Sequence, residues 1–169
     1  MFEAVGLPYY HLFFQKLGDL LNEDGVALLH TIGYAHEPSP INPWLNKYIF
    51  PGSHAPSLSE ILPAIERAGL CVTDIEILRL HYAETLKAWR SRFRANWDKA
   101  AALYDERFCR MWDFYLAGCE VSFRLGYYVI FQIQLAKRVD SLPITRDYIV
   151  DSERVVKNLT DDGRFSKVA

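Results

Sequence analysis

The nine glycines of this chain contain no G-x-G, so the glycine-rich turn with which many α/β domains cradle a nucleotide or nucleoside is missing. Cysteine is sparse. Cys71, Cys109 and Cys119 are odd in number and follow no metal-ligand spacing, so no disulfide framework and no metal site are expected, and a reducing cytoplasm fits them best. No apolar run approaches the roughly 18 residues of a membrane span. The N-terminus carries Glu3 without the positive cluster of a secretory leader. A net charge of -2 excludes a general nucleic-acid binder. Repeats and low-complexity tracts are absent. A soluble cytoplasmic protein is expected, free to sit peripherally at the inner membrane surface.

What is present points to a packed core. Of the 169 residues 50% are hydrophobic, 24% charged and 14% aromatic, which suits a globular domain with large rings in its core or around a ligand. Residues 1–150 read as that domain and 151–169 as a polar tail. Leu12, Phe13, Leu17, Leu20 and Leu21 recur at helical spacing after Pro8. Val26 to Ile32 reads as a strand ended by Gly33, with His30 near its carboxyl end. Tyr34 to Pro56 reads as a loop holding five of the eight prolines, and loops this long are usually functional or disordered. Ser57 and Glu60 form a capping-box pattern before a helix that Gly69 stops.

Cys71 to Tyr82 alternates as a strand. Glu84 to Leu125 is a long helical region with a break near Asn96-Trp97-Asp98. Tyr127 to Ala136 alternates again, Val129, Phe131, Ile133 and Leu135 against Gln132 and Gln134. Beyond Lys137 the chain turns polar and is expected to extend over the surface. The order implies an α/β layer structure with crossover connections, and ligands of such sheets bind beyond the carboxyl ends of strands.

Five segments then carry a resemblance: "MFEAVG" at 1–6, "LLHTIG" at 28–33, "NPWLNKYIFPG" at 42–52, "HYAETLKAWRSRF" at 81–93 and "YDERFCRMWDFYLAGCEVSFR" at 104–124. Over residues 1 to about 150 the chain resembles the cyclopropane-fatty-acyl-phospholipid synthases, within the mycolic acid cyclopropane synthase group of S-adenosylmethionine-dependent methyltransferases. The resemblance implies the carboxyl-terminal portion of a seven-stranded, Rossmann-like sheet of order 3-2-1-4-5-7-6 with strand 7 antiparallel. Val26–Ile32 would be strand 5, Cys71–Tyr82 strand 6 and Tyr127–Ala136 strand 7, with a long helical insertion. It also implies that the S-adenosylmethionine-binding half, with its glycine-rich turn, lies outside this chain, and none of the three cysteines matches the family's active-site cysteine.

The resemblance further implies methyl transfer from S-adenosylmethionine to the cis double bond of a phospholipid acyl chain at the membrane surface. A bound bicarbonate would serve as the base for ring closure. It assigns the anion's cradle to Glu3, His30, the backbone of Ile32, and Tyr82. An imidazole, a main-chain N–H and a phenol can donate to such an anion, and Glu3 can share its proton or orient the imidazole. Read without the resemblance, His30 is a hydrogen-bonded core histidine, Tyr82 an amphipathic strand-end residue, and the aromatics from Trp89 to Tyr115 are core. The basic cluster Lys87, Arg90, Arg92, Arg94 and Lys99 is a solvated helix face or an attractor of anionic headgroups. Three functional readings stay open. One is a lipid-modifying methyltransferase, the second an inactive or partner-binding module with an unpaired strand edge open to association. The third is another methyltransferase on the same fold.

Overall fold

The computed structural model describes residues 1–161. Three strands, β1 (Val26–Tyr34), β2 (Cys71–Leu78) and β3 (Tyr128–Ala136), form one sheet of order β1-β3-β2 with β3 antiparallel to both neighbours. This is the local order expected of the three strands. Of the expected crossovers, only β1 to β2 runs between parallel strands; the long helical region returns the chain antiparallel instead.

Alternation along β3 builds two cores. Val129, Phe131, Ile133 and Leu135 face α1 (Tyr10–Leu20) and α3 (Leu58–Arg67), burying Phe14, Ile61 and Ile65 against Leu29. The opposite face carries Ile130 and Ile32 under α4 (His81–Ala95) and α6 (Glu106–Arg124), whose Leu86, Leu116 and Phe123 close the second core. Two short 3-10 turns, Phe2–Ala4 and Leu7–Tyr9, precede α1. The Ser57–Glu60 capping box opens α3, its Glu60 side chain accepting the Ser57 N–H at 2.8 Å.

Several expectations are corrected. β1 does not stop at Gly33 but runs on to Tyr34, which pairs with Tyr128. Gly33 is there for space: a Cβ would lie 2.4 Å from both the Phe131 ring and the Pro56 carbonyl oxygen. His30 is therefore mid-strand. β2 ends at Leu78, and Tyr82 belongs to the first turn of α4. The proline-rich loop contains α2 (Pro43–Tyr48), capped where the Asn42 side chain accepts the Trp44 N–H at 2.9 Å. The expected break falls at Asn96, between α4 and α5 (Trp97–Leu103), and a second follows before Asp105, which caps α6. The polar tail is not simply extended, since α7 covers Asp147–Asp161; the rest of 151–169 lies outside the described residues. Among the described residues no helix is long and apolar enough to cross a membrane.

Candidate active site

Between the second core and the loop after β1 lies a cavity of about 340 Å³. Its walls are mostly apolar: Ile32 from β1, Ile41, Leu45 and Phe50 from the loop and α2, Leu86 from α4, and Phe123 from α6. A space of this size and lining suits the middle of a hydrocarbon chain or a comparably apolar group. Its polar groups are few: Glu3, Ser53, Cys119 and the tyrosines Tyr82, Tyr115 and Tyr128.

Glu3 is held by its neighbours in space rather than in sequence. Its Oε1 accepts the Ile32 N–H at 2.7 Å and the Thr31 hydroxyl at 2.9 Å, and its Oε2 accepts the α-amino group of Met1 at 3.0 Å. Burial pushes its carboxyl up, but these bonds and its own backbone N–H outweigh burial and hold it below the ordinary carboxylate value. A charged acceptor is thus fixed in an apolar wall. His54 secures the same corner, its N–H donating to the Glu3 carbonyl at 2.8 Å while its Nε2 pairs with Glu60 at 3.1 Å.

The same cavity is lined by Tyr82, Tyr115 and Cys119. The first turn of α4 places Tyr82, its ring against Phe123 at 5.1 Å and Trp89 at 5.8 Å. Burial raises the Tyr82 phenol, with Cys119 and the Glu3 charge adding to it, and burial likewise raises Tyr115. Both hydroxyls stay protonated at neutral pH and make no hydrogen bond among the described residues. Burial pushes the Cys119 thiol up to about 11, so it too is neutral.

Three of the four expected residues, Glu3, Ile32 and Tyr82, therefore share one cavity. His30 does not line it. It lies on the same strand face as Ile32 but two residues earlier, in a polar row where it meets Gln132 at 3.2 Å beyond the edge of the covering helices. It is exposed, so it is not the core histidine of the other reading. The Ile32 N–H, expected to face an anion, is engaged by Glu3. Thr31, Tyr115 and Cys119 were missed. Thr31 is fully buried on the other strand face, its hydroxyl spent on Glu3; Tyr115 is on the cavity side of the aromatic stripe, and Cys119 follows it one turn later on α6.

Residues 1–133 match the family model described as mycolic acid cyclopropane synthetase. The chain belongs to that family. It is 38% identical over 156 residues to a probable fatty acid methyltransferase of Pseudomonas putida, covering 87% of this chain and 40% of that protein. It is 36% identical over 141 residues to the cyclopropane-fatty-acyl-phospholipid synthase of Escherichia coli (strain K12), covering 83% of this chain and 37% of that one. The mycolic acid cyclopropane synthase CmaA1, solved in complex with SAH and CTAB, superposes with a TM-score of 0.73 at 33% identity, over 79% of this chain and 52% of that structure. The chain thus spans about half or less of each of these relatives.

Proposed function

We propose that this chain forms the lipid-side part of an S-adenosylmethionine-dependent methyltransferase of the cyclopropane synthase type. Its substrate is the cis double bond of a phospholipid acyl chain, and the three strands are strands 5, 7 and 6 of a seven-stranded sheet. The observation that carries this is the cavity: a mostly apolar space, large enough for part of a hydrocarbon chain, lined by one fixed carboxylate and two unbonded phenols. Family membership supports it.

The residues present do not fit S-adenosylmethionine. No glycine-rich turn exists in the chain, so the co-substrate is assigned to residues outside it and no step is routed through it here. Bicarbonate fits better, since Tyr82 and Tyr115 can donate to an anion and the Glu3 carboxylate can accept its hydroxyl. When bound, bicarbonate supplies the base that takes the proton released as the ring closes. Glu3 and Tyr82 orient it in a site from which the apolar walls exclude water. His30, on this reading, stands outside the reaction. Tyr82, Tyr115 and Phe123 line the cavity, and an aromatic face turned to a developing cation stabilises it.

The test supplies the cofactor-binding part from a relative and measures transfer of labelled methyl from S-adenosylmethionine to an oleoyl phospholipid. Label in a cyclopropane ring, lost with Tyr82→Phe and Glu3→Gln but kept with His30→Ala, is the expected result. No label under any pairing, from a chain shown to be folded, counts against the proposal.

A further inference from the structure

The basic cluster from Lys87 to Lys99 is the first place to look for contact with a lipid surface, but the fold has already engaged part of it. Arg90 and Arg94 both clasp the Asp113 carboxylate, at 2.9 and 2.7 Å. A second cationic patch at the start of α6 is arranged differently. Arg107 and Arg110 line a shallow pocket with Trp44, Tyr48, Phe108 and Phe114. Arg107 has no ion-pair partner among the described residues, and Arg110 reaches Glu106 only at 4.0 Å. Lys47 sits over the Tyr48 ring at 5.0 Å beside them. The acid of the pocket, Asp105, is occupied in accepting the Phe108 N–H at 2.6 Å.

Two residues of this pocket also line a second, inner cleft. Trp44 and Phe114, edge to face at 4.8 Å, separate the pocket from this cleft between α2 and α6. Leu45, Tyr115 and Cys119 wall both that cleft and the acyl-sized cavity. On the outer side of α6 the apolar residues Phe114, Val121 and Leu125 are 59%, 53% and 66% exposed, and their spacing of seven and four places them on one stripe. Exposed apolar side chains flanked by tryptophan, tyrosine and arginine are what the headgroup region of a bilayer accommodates.

We propose that α2 and the outer face of α6 are the surface on which this chain meets an anionic phospholipid bilayer. Arg107 and Arg110 hold a lipid phosphate there, and the acyl chain reaches the cavity only as the Trp44–Phe114 ring contact parts. The route inward rests on reading the cavity as an acyl site; the surface itself is testable without any methyl transfer. Guanidinium groups suit this task because their planar fork meets phosphate oxygens in pairs, and the aromatic walls let the chain leave the headgroup region without crossing water.

The experiment is sedimentation of the chain with vesicles of phosphatidylcholine alone and of phosphatidylcholine with a third phosphatidylglycerol. The chain is expected to prefer the anionic vesicles, and added salt to weaken the preference. Arg107→Gln with Arg110→Gln should lower affinity for them about 25-fold, two charges at about fivefold each. Phe114→Ser should weaken binding to both vesicle types with little change in salt dependence. Lys87→Gln with Arg92→Gln, on α4, should change binding far less. Equal binding by the double arginine variant, or a larger loss from the α4 pair, overturns the proposal. So does binding of inorganic phosphate at Arg107 and Arg110 by a chain that ignores vesicles. Failure here with methyl transfer to detergent-dispersed lipid intact removes the docking surface and leaves the proposed function standing. Circular dichroism of each variant confirms that a loss is not unfolding.

Discussion

The Glu3 carboxylate accepts the main-chain N–H of Ile32 at 2.7 Å across 29 residues of sequence. Through this bond the segment before α1 is pinned to the centre of β1, and a negative charge is held at the wall of an apolar cavity. A buried N–H left without an acceptor is costly, so the bond supports both stability and the site.

Replacing Glu3 should therefore be felt in the fold. Glu3→Ala is expected to destabilise by about 2 kcal/mol and Glu3→Gln, which keeps an acceptor, by about 1 kcal/mol. The folded carboxyl lies below its ordinary value of 4.5, so its contribution is complete above that pH and is lost as pH falls through the folded value. Urea midpoints measured from pH 7 down to pH 3 should show a steeper acid loss for the wild-type chain than for Glu3→Gln. Parallel curves would refute this.

Gly33→Ala should be among the most damaging single changes in the chain. The added methyl meets the Phe131 ring and the Pro56 carbonyl at 2.4 Å, and relief requires moving β3 or the loop that crosses the strand. Overpacking of this kind costs about 3 kcal/mol, read as a fall in Tm of about 6–12 °C for a domain of this size. A Tm within a degree or two of wild type would contradict it.

Asp113 ties α6 to α4 by accepting two guanidinium groups at once, and the Arg94 and Arg90 guanidinium groups hold its carboxyl well below the usual carboxylate range. Asp113→Asn is expected to lower thermal stability at neutral pH. Because the folded carboxyl is depressed, the difference from wild type should be full above about pH 4 and shrink in stronger acid. A difference that grows as the pH falls would show that another group is responsible.

Cys119 lines the cavity, and its thiol is pushed up to about 11 by burial. Iodoacetamide at pH 8 should label it about a hundredfold more slowly in the folded chain than in denaturant, since the thiolate is the reactive form. Labelling should slow further when an acyl chain is bound. Peptide mapping by mass spectrometry follows the site; equal rates in the two states would place the sulfur in solvent.

The strands were legible because β3 alternates Val129, Phe131, Ile133 and Leu135 against Gln132 and Gln134, and each set faces what its chemistry requires. The helix breaks were legible in part, through Asn96. The β1-β3-β2 order was expected only from the resemblance, because nothing local in the three strands fixes which pairs with which. Gly33 was misread as a stop because a glycine needed for close approach looks the same as one that ends a strand. Tyr82 was misplaced because Leu78-Arg79-Leu80 alternates too, though out of phase with Ile75-Glu76-Ile77, while the backbone turns there. Tyr115 and Cys119 lay hidden in a helical stripe, since periodicity marks the inward face of α6 without saying which part of it borders space. His30 was placed correctly on its strand but not by its surroundings. Its place two residues before Ile32 puts it on the expected face, but the covering helices stop short of that row.

The central claim is that hydrocarbon occupies the space between β1, α2, α4 and α6 rather than the core beneath α1 and α3. The most direct measurement is methyl NMR of the chain in the presence of a phospholipid carrying a nitroxide at mid-chain. Strong broadening of Ile32, Ile41, Leu45 and Leu86 is expected, with Ile61, Ile65 and Leu135 spared. Broadening confined to the second group, or none at saturating lipid, would contradict the account.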